Sequence, residues 1–61
     1  MSEEQMREMC MRLAAEIVNR LRYSNETWEA HHGVPHAFTD SDYAAATEEV
    51  FEALFARTVW A

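Results

Sequence analysis

MREMCMRLAAEIVNRL, residues 6–21, spaces its apolar side chains by three and four: Met6, Met9, Cys10, Leu13, Ala14, Ile17, Val18 and Leu21. At about 100° per residue these fall on one broad face of a helix, while Glu8, Arg12, Glu16 and Asn19 fall opposite. The start of this helix is marked. Ser2 followed three residues later by Gln5 is a capping box, and Glu3 and Glu4 occupy the first turn, where the helix dipole favours acids. On the wet side Glu3/Arg7, Glu8/Arg12 and Glu16/Arg20 are spaced for i,i+4 ion pairs, each worth roughly 0.2–0.5 kcal/mol in isolation.

The far end of this helix has two readings. Ser24-Asn25 is able to stop it and cap a short second piece. Trp28, His31 and His32 nevertheless continue the apolar face, and Gly33 followed by Val34-Pro35 is a strong stop signal. We read a helix of about residues 3–32, with 24–26 as the place for a break or kink, and a loop over 33–39.

A second helix of about residues 40–60 follows. Thr39 is placed to cap it with Asp42 at the third helical position, and Phe38 and Tyr43 stand where a hydrophobic staple puts its two members. Tyr43, Thr47, Val50, Phe51, Leu54, Phe55 and Thr58 share one face, with Glu48, Glu49 and Glu52 on the other. Glu48 and Glu52 are like charges at i,i+4, and no base lies three or four residues from any of these glutamates.

Both helices carry apolar arcs near half a turn wide, more than two helices hide against each other. The expectation is an all-α chain, a single domain over residues 1–61, built as a two-helix hairpin that dimerises into a four-helix arrangement. Its dimer core would contain Leu13, Ile17, Leu21, Val50, Phe51, Leu54 and Phe55. Chain length points the same way, because about 60 residues bury only about 60% of their extended surface and leave roughly 3–5 kcal/mol from their own core. Cys10 is the one cysteine, so no intrachain disulfide staples the fold, and no Cys/His pattern suggests structural zinc.

Net charge is −6, unevenly spread. Residues 1–23 hold four acids and four arginines and balance to zero; residues 24–61 hold seven acids against Arg57 alone. With no lysine anywhere, the chain is a poor direct ligand for DNA or RNA, whose nonspecific binding needs Lys/Arg to displace counterions. A protein partner with a basic surface suits it better. The acidic first residues and short apolar runs lead us to expect neither a secretory signal nor a membrane span, and a lone thiol fits a reducing, cytoplasmic setting.

Four features carry potential chemistry, each beside a plainer role. His31, His32 and His36 with Asp40 and Asp42 have metal-capable side chains, but adjacent histidines point about 100° apart and Pro35 interrupts the spacing from 32 to 36, so helix-end histidines and no bound metal are expected. Cys10 sits among Met6, Met9 and Met11 as a small buried hydrophobe rather than a reactive thiol. Glu48, Glu49 and Glu52 either solubilise the chain or face a basic partner. Trp60 lies off the apolar face, which makes it a candidate anchor for a partner, beside the alternatives of chain-end fraying and packing on a dimer mate.

No Ser/His/Asp, glycine-rich or paired-carboxylate constellation is present, and a helical hairpin offers little concavity for a substrate, so neither an enzyme nor a cofactor is expected. The functional expectation is a small regulator or inhibitor that binds another protein through Glu48, Glu49, Glu52 and Trp60 while dimerising with itself. By analogy with free-standing acidic proteins of this size, many of them encoded by phages, the target would be a host protein. An acidic mimic filling the basic groove of a nucleic-acid-binding protein and a structural assembly subunit are the alternatives.

Overall fold

A computed structural model describes residues 2–60, with side chains described for 2–58. Helix α1 spans Glu3–His32 and helix α2 spans Asp40–Trp60, and no strand occurs among the described residues. Both helices begin at reciprocal caps. Ser2 Oγ accepts from the Gln5 amide at 3.2 Å while Gln5 Oε1 accepts from the Ser2 amide at 3.0 Å. At α2 the Asp42 amide donates to Thr39 Oγ1, and Asp42 Oδ2 accepts from both the amide and the hydroxyl of Thr39. The Phe38 and Tyr43 rings meet at 5.9 Å across that cap, the two halves of the staple.

Helix α1 runs unbroken through 24–26. Arg22 Nε donates to Glu26 Oε1 at 3.1 Å and spans the doubtful segment, so Ser24 and Asn25 are carried as weak helix formers inside a supported turn. The helix stops at Gly33, whose φ of 67° is left-handed, and the Val34 amide closes the end on the Glu29 carbonyl at 3.1 Å.

The two helices lie antiparallel but out of step. Cys10 meets Thr58 at one end, and Arg22 meets Asp40 and Tyr43 at the other. Residues 26–32 of α1 therefore overhang the start of α2 by roughly 10 Å at 1.5 Å per residue, and the loop folds back along them to reach Asp40. This overhang shapes the hairpin end.

The seam on α1 is made of small side chains. Cys10, Ala14 and Val18, each four residues from the next, are its buried apolar residues, with Ala14 fully enclosed. Across from them Tyr43, Ala46, Thr47, Val50, Phe51, Leu54 and Phe55 are half-buried. Small residues let the helix axes approach closely, but no apolar side chain larger than valine is buried among the described residues. The molecule measures 46 × 16 × 15 Å. Its accessible surface of 5091 Å² exceeds by about 1,000 Å² the roughly 4,100 Å² of a compact monomer of 7.1 kDa.

Candidate functional site: an exposed apolar face and a clasped loop

Leu13, Ile17 and Leu21 stand beside the seam, exposed at 47%, 36% and 55%, and Met9 and Trp28 extend the same stripe toward either end of α1. Leu13 shares a cleft of about 220 Å³ with Met6, Met9, Cys10, Leu54 and Thr58. Leu21 lines a second cleft of about 370 Å³ with Ala45, Ala46 and Glu49 of α2. One flank of the hairpin is therefore a shallow apolar trough with Glu49 on its rim.

Phe51 and Phe55 lie elsewhere. Each follows Val50 or Leu54 by one position, about 100° further round α2, which places them toward the opposite flank. Their rings stack at 5.6 Å, and the Arg7 guanidinium sits 5.0 Å from the Phe55 centroid. Of the seven residues expected in a dimer core, the structure thus sets Leu13, Leu21 and Leu54 along one trough and sets the phenylalanine pair apart, already partly covered within the chain.

Arg7 over Phe55 forms no ion pair with Glu3, and Glu8/Arg12 is open as well; among the described residues the i,i+4 pairs are Glu16–Arg20 and Arg22–Glu26. Arg22 does more than pair within its helix. It also donates to Asp40 and lies 4.8 Å from the Tyr43 ring centroid, so one guanidinium fastens the start of α2 to α1. Its pKa is raised by Glu26 first and Asp40 second.

Glu48, Glu49 and Glu52 are exposed, and none has an ion-pair partner among the described residues. The Trp60 side chain, expected beside them, lies outside the described residues.

The histidines have intrachain roles. His32 donates from Nδ1 to the Trp28 carbonyl at 2.9 Å and stacks on the Trp28 indole at 4.0 Å, while His31 meets His32 edge-on. His36 donates from Nδ1 to Glu29 Oε1 at 3.1 Å. No cluster of three or more His, Cys, Asp or Glu side chains placed to hold a metal occurs among the described residues.

Glu29 was not singled out by sequence. Its side chain is only 8% exposed, and its second oxygen, Oε2, accepts the Ala37 amide at 2.6 Å. Donation from His36, then from Ala37, holds this carboxyl below its ordinary range and so ionised at neutral pH. The signal was available: counting 4, 4, 7 and 4 from Cys10 along the inward face gives Ala14, Val18, Asn25 and Glu29, a carboxylate at a core-facing position.

No protein-family model, curated protein or solved structure matches this chain. No helix among the described residues is long and apolar enough to cross a membrane.

Proposed function

We propose that the protein is a non-enzymatic regulator or inhibitor that works by binding another protein, and that it does so as a homodimer in a four-helix arrangement. The observation that carries the dimer is the exposed trough of Met9, Leu13, Ile17 and Leu21 beside a seam whose own core is Cys10, Ala14 and Val18. Its surplus surface of about 1,000 Å² is close to the roughly 800 Å² that each partner buries in a standard interface. A second copy is the occupant that meets this demand symmetrically, trough against trough.

Charge selects the stacking. Placing α2 on the partner's α2 would bring uncompensated glutamates together, whereas placing α1 on the partner's α2 sets Arg20, beside Leu13 and Ile17, near the rim that carries Glu49. Glu48 and Glu52, further round α2, then remain outward for the other protein.

Sedimentation equilibrium tests the dimer. Wild type is expected at twice the chain mass at micromolar concentration, and Leu13→Asp with Ile17→Asp at the monomer mass. A folded wild-type monomer under those conditions refutes the dimer. Arg20→Glu should weaken association and Glu49→Arg in the same chain should restore part of it; failure of the rescue refutes the stacking while leaving the dimer.

A further inference from the structure

The overhang of α1 and the returning loop form a cleft of about 440 Å³ at the hairpin end, adjoining the Leu21 cleft and sharing Asn25 and Phe38 with it. Its walls are Trp28, Val34, Pro35 and Phe38, with Asn25 at one side, and the buried Glu29 contributes to its lining. We infer that this cleft is a binding site for a guanidinium side chain, an arginine presented by the protein partner. The inference deepens the reading of a partner with a basic surface and rests on it for the identity of the arginine's owner.

Three observations carry the assignment. The first is a buried carboxylate that no permanent cation among the described residues touches. Glu29 is more than nine-tenths buried at its side chain, yet the groups that hydrogen-bond it are the Ala37 amide, which is neutral, and His36, which is itself exposed. Among the described residues no arginine contacts Glu29; Arg22, seven residues and about two turns away, is committed to Glu26 and Asp40. The two bonds favour the ionised form, so a negative charge stands at the cleft with no arginine on it.

The second is remaining capacity. An ionised carboxylate offers about four acceptor sites, and two are used here, so N–H donors from a guanidinium have places to go. The third is the walls. Trp28 and Phe38 bring aromatic rings to the cleft, and an indole is the best neutral partner for a cation. His32 stacks on Trp28 without lining the cleft. A planar guanidinium stacks on such rings while donating at its edge; an ammonium does only the second as well. The volume suits one long side chain rather than a folded segment.

The wild-type protein tests this without the partner. Acetyl-arginine amide is titrated into isotopically labelled protein while the amide and indole resonances are followed, with acetyl-citrulline amide as the uncharged isostere. The expected result is saturable, millimolar binding of the arginine compound, with shifts concentrated at the Trp28 indole, Val34 and Phe38, and about tenfold weaker binding of the citrulline compound. Glu29→Gln should erase the preference for arginine, and Phe38→Ala should weaken binding while the Ala37 amide resonance reports whether the loop stays docked. Equal response to both compounds, no response at Trp28, or shifts confined to Glu48, Glu49 and Glu52 would overturn the site. A sedimenting dimer indifferent to arginine removes the site and leaves the dimer; a monomer that takes arginine selectively does the reverse.

Discussion

The Glu29 carboxylate reaches eight residues along the chain to the Ala37 amide, at 2.6 Å, and so fastens the returning loop to the helix that launched it. With Glu29 Oε1 held by His36 at 3.1 Å, one side chain satisfies two loop donors. Because its folded pKa lies below the ordinary 4.5, its stabilising contribution is complete above the unfolded value and is lost as pH falls through the folded one. The thermal midpoint of wild type should therefore exceed that of Glu29→Gln near neutral pH, with the gap narrowing below about pH 4.5. Asp42, held low by Thr39, titrates in the same direction but is present in both proteins and cancels. A gap that widens in acid would contradict the clasp.

Ala14 has no exposed surface, at the centre of a seam built from Cys10, Ala14 and Val18. Its methyl sets how closely the helices approach. Ala14→Leu should push them apart and destabilise by about 1–3 kcal/mol, the ordinary range for overpacking a tight core. Urea denaturation monitored by helical circular dichroism measures this. Ala14→Ser, close in volume, should do far less, and a neutral Ala14→Leu would show that the seam is loose.

In the proposed dimer, Leu54 and Ile17 gain burial that a single hairpin does not supply. Ile17→Ala or Leu54→Ala should cost about 2–5 kcal/mol in the assembled protein, enough to unfold a marginal chain. The wild-type melting temperature should rise with protein concentration, as mass action requires when folding and association are linked. A midpoint independent of concentration, together with small losses for both variants, would place these residues at a free surface.

Helix caps and the hairpin stop were legible because they are local. Ser2/Gln5, Thr39/Asp42 and Gly33 act through residues three or four apart, and the Phe38–Tyr43 staple through five. The continuity of α1 through 24–26 was less so, since Ser24 and Asn25 are stop signals and the Arg22–Glu26 pair that bridges them is worth only about 0.2–0.5 kcal/mol. What periodicity cannot supply is the stagger between helices. The offset that joins Arg22 to Asp40 and Cys10 to Thr58 decides that the loop must fold back, and only then does Glu29 meet Ala37. For the same reason one broad apolar arc did not reveal which part of it the seam uses. Ala14 and Val18 are buried in the seam, while Leu13 and Ile17, one position away on the same arc, stay exposed at its edge.

Folding is expected to need no metal. His32 Nδ1 is engaged by the Trp28 carbonyl and His36 Nδ1 by Glu29, so two of the three histidines already have protein partners on one nitrogen. Chelator treatment should leave the thermal transition in place. A large downward shift, reversed by Zn²⁺ and absent in His31→Ala, His32→Ala and His36→Ala variants, would assign these histidines a metal instead.

Charge and anchoring should separate kinetically when the protein partner is bound. Glu48, Glu49 and Glu52 are exposed without ion-pair partners among the described residues, and the chain carries a net −6, so long-range attraction would act on the encounter. Changing these glutamates to glutamine should slow association and flatten its salt dependence, with little effect on dissociation. Trp60→Ala should raise the dissociation rate, as loss of a desolvated aromatic anchor does. Surface plasmon resonance at two ionic strengths resolves the two effects. If both sets of changes leave binding untouched while Trp28→Ala or Phe38→Ala abolishes it, the contact is made at the clasped end of the hairpin and the acidic face of α2 serves only to keep the chain in solution.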